Sequence, residues 1–173
     1  MKQTLLIILL LAGSQAVHAQ SQTSLDSLKV LIGKWTGEGQ SEVGAGGGYF
    51  TFEASLKDKV FIRKNHAEYP ATKDRATVIH EDLMIVYVDG AAKKLRAFYT
   101  DTEGNTINYL IAVSDDQKTI TFASDPRDPG PRYRLTYVLT QTDRITLTFE
   151  VAAPDKPDQF RKFIDGRVRQ VRA

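Results

Sequence analysis

From Trp35 onward, apolar residues alternate with polar ones in short runs rich in β-branched and aromatic side chains. A period of two puts every second side chain on one face, the mark of a half-buried strand. The runs fall at 34–42, 48–56, 60–69, 77–88, 94–101, 106–113, 119–124, 133–141, 145–151 and 166–172. Turn signals part them: Lys57-Asp58, Asp89-Gly90, Glu103-Gly104-Asn105, Ser114-Asp115-Asp116 and Thr142-Asp143. Parallel strands need crossover segments of about a dozen residues or more, and no such helices are available here. The pattern therefore predicts an all-β fold, a closed antiparallel up-and-down barrel of about ten strands. Two connections are longer. Residues 126–131 are rich in Pro, Asp and Gly, and 154–158 lead into Phe160, Phe163 and Ile164. The spacing of those three predicts one helical turn before the last strand. With no internal repeat and no linker, residues 20–173 read as one domain.

The segment ahead of the barrel has a different character. Lys2, an unbroken apolar run over 5–12 and the small-residue site Val17-His18-Ala19 predict a secretory signal peptide over 1–19. The run is shorter than the roughly 20 residues a membrane-spanning helix needs, and no later segment is long and apolar enough. The expected location is periplasmic or secreted, with no membrane span. Cysteine is absent, which removes lipid attachment through a thiol, disulfides and thiolate metal sites, so the core alone must hold the fold. Leu25, Leu28, Leu31 and Ile32 follow at helical spacing and predict a short N-terminal helix. The net charge is +2, with the signs interspersed, which argues against a nucleic-acid partner. Arg161, Lys162, Arg167, Arg169 and Arg172 cluster in the tail, where alternation with Val168 and Val171 predicts a strand with a solvated basic face.

The first strand opens on Gly33-Lys34-Trp35-Thr36-Gly37-Glu38-Gly39, which holds the only tryptophan. A Gly-x-Trp entering a small all-β domain resembles the entry signature of the calycin barrels, the lipocalins and their relatives. The fuller Gly-x-Trp-x-Gly-x-Gly form is most similar to the nitrobindin-type barrels. That resemblance implies a closed barrel with room for one small ligand. It also implies a tryptophan that closes the barrel floor beneath a last-strand side chain, often arginine. Nitrobindin-type barrels carry haem iron on a histidine near the C-terminus. Here no histidine follows His80, so the resemblance brings the architecture without that ligand, and no cofactor is expected. The phrases Arg63-Lys64-Asn65-His66-Ala67-Glu68-Tyr69-Pro70 and Asp82-Leu83-Met84-Ile85-Val86-Tyr87 are similar to secreted bacterial proteins to which no activity attaches.

Groups able to do chemistry are sparse. Past the signal peptide only His66 and His80 occur. His80 and Asp82 share a face at i and i+2, which suits an oriented acid–base pair or two metal ligands. No spacing supplies a third ligand, so no metal site is expected, and a solvent-facing or capped His80 is the plainer reading. Arg63, Asn65 and Tyr69 share a face with Phe61 and Ala67, opposite His66. Pointing inward, they would give an apolar pocket a few convergent polar groups; both faces of this strand are mixed, so the outward orientation stays open. Tyr87, Tyr99, Tyr109, Arg132 and Arg134 carry the same ambiguity. Arg132 and Arg134 flank Tyr133 and suit an anionic head group or a solvated surface strand. The glycine patch Gly44-Ala45-Gly46-Gly47-Gly48 lacks the Gly-Lys-Ser/Thr of a phosphate loop and reads as a flexible hairpin at the barrel mouth. There is no Gly-x-Ser-x-Gly elbow, no cysteine nucleophile and no evident carboxylate pair, so no catalytic residue is assigned.

The expected function is binding of a small apolar or amphipathic molecule, with Arg63, Asn65, Tyr69, His80, Tyr99 and Arg132 as candidate contacts. Two alternatives remain: an enzyme using His80 with Asp82 or a tyrosine in the same cavity, and a filled barrel acting by surface contacts in the cell envelope.

Overall fold

The computed structural model describes residues 24–38 and 47–171. Ten strands follow in chain order: β1 Gly33–Glu38, β2 Gly47–Ser55, β3 Val60–Tyr69, β4 Val78–Asp89, β5 Lys94–Asp101, β6 Thr106–Val113, β7 Thr119–Ser124, β8 Arg132–Gln141, β9 Arg144–Ala152 and β10 Arg161–Val171. Each pairs antiparallel with the next, and β1 also pairs with β10, so the sheet closes into an up-and-down barrel without edges. The signal-peptide residues and Gly44 to Gly46 lie outside the described residues; Gly47 and Gly48 open β2. Among the described residues no helix is long and apolar enough to cross a membrane.

Register decides which side chains face in. Phe52, Arg63, Met84, Tyr99 and Ile107 are successive partners from β2 to β6, and Trp35, Phe50, Asn65, Asp82 and Asp101 form the neighbouring rung. Both rungs point inward, as the burial of Trp35, Phe50, Phe52, Arg63 and Met84 shows. On β10 the tail arginines Arg167 and Arg169 are exposed around buried Val168, the solvated basic face expected from their alternation.

One end of the barrel is plugged. A seven-residue 3-10 segment, Leu25–Leu31, starts at Ser24, whose hydroxyl accepts from the Asp26 amide. Its Leu25, Leu28 and Leu31 are buried. The Trp35 indole donates to the Leu31 carbonyl at 2.8 Å, and the Gln170 amide donates to the Ile32 carbonyl at 2.8 Å. Gly33 makes this join possible: its φ is +122°, and a Cβ there would stand 2.8 Å from the Gln170 amide nitrogen. The last-strand residue opposite Trp35 is thus Gln170 and not an arginine. Aromatic rings then run up the interior. Trp35 stacks on Phe50, Tyr137 touches Phe50, Phe52 and Phe122, and Phe122 meets Tyr109, with centroids 5.6–6.2 Å apart.

The helical turn expected at Phe160, Phe163 and Ile164 does not form. Phe163 and Ile164 lie in β10, where the register to β9 shifts between Lys162 and Ile164. The irregularity resets the alternation, so spacing alone imitates a helical turn. Phe163, 59% exposed, packs edge-on against Phe149 on the outside of the regular inward pattern.

Candidate functional site

The other end of the interior is polar, and β3 supplies its base. Phe61, Arg63 and Asn65 face in, while His66 faces out, stacked on Tyr49 with its Nδ1 3.1 Å from Glu81. Arg63 is 5% exposed. Its Nη1 donates to the Asp82 carboxylate, and both side chains are almost wholly out of water. β4 brings Asp82 inward beside His80, because the two are separated by one outward residue. The His80 ring then links the interior to the rim. Its Nε2 is 3.4 Å from Asp82 Oδ2, and its Nδ1 is 2.8 Å from Glu103 Oε2. A carboxylate only accepts, so Nδ1 carries the proton in the shorter contact. On the neighbouring strand β5, the Tyr99 hydroxyl donates to Asp101 Oδ2 at 3.1 Å. Asp101 also caps the β5–β6 turn by accepting from the Glu103 and Asn105 amides, and Gly104 takes the positive φ of +84° that the turn needs.

The electrostatics follow from burial. Burial opposes the charge on Arg63, but the neighbouring Tyr137 and Asp82 outweigh it and raise the guanidinium above its ordinary value. Burial pushes the Tyr99 hydroxyl up, and Asp82 and Asp101 add to this; burial does the same to Tyr109 and Tyr137. All three stay neutral phenols at physiological pH. Burial works against ionisation of Asp101, yet hydrogen bonds from Asn105 and Tyr99 hold its carboxyl below the usual carboxylate range. Two buried atoms have no hydrogen-bond partner among the described residues: Arg63 Nε and the Tyr137 hydroxyl oxygen. Such atoms cost roughly 1–3 kcal/mol each when left alone.

The site therefore gathers Arg63, Asn65, His80 and Tyr99, with Tyr69 closing β3 at the rim opposite Val78. Arg132 is not among them. It alternates with inward Tyr133 and donates to the Asp125 carbonyl at 2.6 Å. Arg134 holds Glu150 at 2.6 Å and lies over the Phe160 ring. Asp125 is a buried carboxylate that sequence reading missed. It gathers Arg127 and Arg96 at 2.5–2.9 Å on the outer wall, and Arg127 above all holds its carboxyl far below the usual range. The Asp125-Pro126-Arg127 turn, with the Arg127 amide on the aspartate side chain, was the available signal.

His80, Asp101 and Glu103 present one ligand atom each within 4.8 Å of one another. The third metal ligand that β4 itself does not offer thus comes from the β5–β6 turn, although Asp101 already accepts four hydrogen-bond donors.

The fold and this interior define a class: a closed ten-stranded antiparallel barrel with one end plugged by an apolar segment and a buried charge pair inside it. No protein-family model matches the chain, and no curated protein matches it.

Proposed function

We propose that this chain is an exported small-molecule-binding barrel that takes an apolar or amphipathic ligand through its polar mouth. The observation that carries this reading is a buried polar pair, Arg63 and Tyr137, set against aromatic rings, with Arg63 Nε and the Tyr137 hydroxyl lacking a well-aligned hydrogen-bond partner among the described residues. A protein that needed only a filled core gains nothing from them, since a neutral apolar pair of similar shape is as stable or more so. A ligand atom that bonds both turns a cost into recognition. Export is supported by Lys2, the apolar run 5–12 and Val17-His18-Ala19. A calycin-like and more narrowly nitrobindin-like ancestry is supported by the Gly33 to Gly39 motif together with a ten-stranded closed barrel.

The catalytic alternative has less support, because the close partner of His80 is Glu103 at 2.8 Å, while Asp82 bonds Arg63 and stands 3.4 Å from the ring. Native mass spectrometry of protein purified from a bacterial periplasm tests the binding reading. A bound amphiphile at one per chain, lost on denaturation, is the expected result. An apo mass, with no uptake of any apolar compound from a bacterial lipid extract, would overturn it and favour the surface-contact alternative.

A further inference from the structure

We infer that the group this barrel takes at its buried polar end is a neutral oxygen acceptor, a carbonyl or hydroxyl, and not a carboxylate or an amine. The inference rests on the binding reading above and names the chemistry of that same site.

The argument begins with what Arg63 has left to give. A guanidinium has five N–H donors and no acceptor. One goes to Asp82, which also cancels the charge. Of the other four, the Nε–H is out of reach of water and has no partner among the described residues. Tyr137 lies beside it, within hydrogen-bonding reach of the guanidinium but off the preferred geometry, so its O–H is still free to donate. One carbonyl oxygen has two lone pairs and can accept from both at once. An alcohol oxygen can do the same.

Charged groups fit worse. A carboxylate entering here finds no net positive charge, because Asp82 already neutralises Arg63. It would also face Asp82, whose charge acts on both Arg63 and Tyr137. Burying an uncompensated anion is far more costly than burying a dipole. An ammonium has no lone pair for the Arg63 Nε–H and would face a guanidinium. The surroundings agree with a dipolar head and an apolar tail: the Phe50 ring lies 5.2 Å from the Arg63 guanidinium carbon, and Phe52 and Phe122 pack on Tyr137.

A matched series with one alkyl chain tests this: octanamide, octanol, octanoate and octylamine, titrated calorimetrically into the full chain at pH 7. The amide and alcohol should bind at least about ten-fold tighter than the acid and the amine. Asp82→Asn keeps the shape and releases the Arg63 charge, so octanoate should gain over octanamide in that variant. Tyr137→Phe keeps the ring and the fold, and it should weaken octanamide about two- to ten-fold while leaving octylamine unchanged. Octanoate binding the unaltered protein as tightly as octanamide, or Tyr137→Phe leaving octanamide unaffected, would overturn the inference and leave the binding reading standing. Failure of all four compounds to bind would overturn the binding reading itself, and this inference with it.

Discussion

The two ends of the barrel interior hold themselves together by opposite means. The plugged end uses area: Leu25, Leu28, Leu31, Trp35 and Phe50 bury apolar surface, and each polar atom there, the Trp35 indole and the Gln170 amide, has a backbone partner. The mouth end uses pairs: Arg63 with Asp82, His80 with Glu103, Tyr99 with Asp101. Apolar packing degrades gradually as atoms are removed, with a cost that scales with volume. A buried charge network fails at once when one member is lost, because the partner is left bare in a low dielectric. Among the described residues, the buried donors left unmet, Arg63 Nε and the Tyr137 hydroxyl, belong to the polar pairs. The two arrangements meet at Phe50, which stacks on Trp35 and lies 5.2 Å from the Arg63 guanidinium carbon, but they rest on different forces and respond differently to substitution.

The largest effects come one from each end and are similar in size. Trp35→Ala should cost about 3–5 kcal/mol in urea unfolding, as a large core truncation. Asp82→Ala should also cost about 3–5 kcal/mol, by stranding the Arg63 charge. The two differ in rescue. Adding Arg63→Leu to Asp82→Leu should recover most of the loss, whereas no second change restores the indole volume and its bond to Leu31. If the double replacement is no better than Asp82→Leu alone, the mouth is not held by a charge pair in the way described.

A smaller effect has the opposite sign. Tyr137→Phe deletes a buried hydroxyl that has no well-aligned partner among the described residues, so the ligand-free protein should become more stable, by up to about 1 kcal/mol, read as a higher urea midpoint. A loss of more than about 1 kcal/mol would mean that the hydroxyl is bonded.

Acid pH should separate the ends further. The Asp101 carboxyl is lowered in the folded state. Its contribution is therefore complete above the unfolded value near 4 and is lost as pH falls below that, through the folded value. Asp101→Asn should flatten the acid limb of stability against pH by less than about 1 kcal/mol after solvent screening. Trp35→Ala should shift the whole curve without changing its slope. The smallest expected change is none: added haem should keep the Soret band of free haem, since no histidine follows His80. A stoichiometric band that His80→Ala abolishes would contradict this.

How far the sequence could be read follows from the same division. The strands were legible because alternation is a local property. The run 60–69 matches β3, and 77–88 lies within one residue of β4. The last strand was expected to begin at Gly166 and begins at Arg161, because the irregularity near Phe163 breaks the period on which such reading depends. The plug was legible as Leu25, Leu28 and Leu31 leading into Trp35. The site was legible only in part. His80 and Asp82 share a face by spacing, but the direction of that face depends on neighbours. Arg63 turns inward because Phe52 and Met84 flank it on the same rung, and those partners are fixed by register. Tyr137 entered from β8, far along the chain, and no local pattern ties it to Arg63. The placement of Arg132 was not legible for the same reason: the parity of β8, with Tyr133 inward, sets it beside the Asp125 carbonyl.

The most direct test of the central claim compares both ends in one experiment. In a 15N-labelled sample, the Arg63 Nε–H and the single Trp35 indole N–H report on the mouth and the plug. Titration with octanamide should shift the Arg63 Nε–H and the amides of β4 and β5 near Asp82 and Tyr99, and leave the Trp35 indole signal in place. Shifts centred on Trp35 and the Leu25–Leu31 segment, or no shift at either end, would contradict the account.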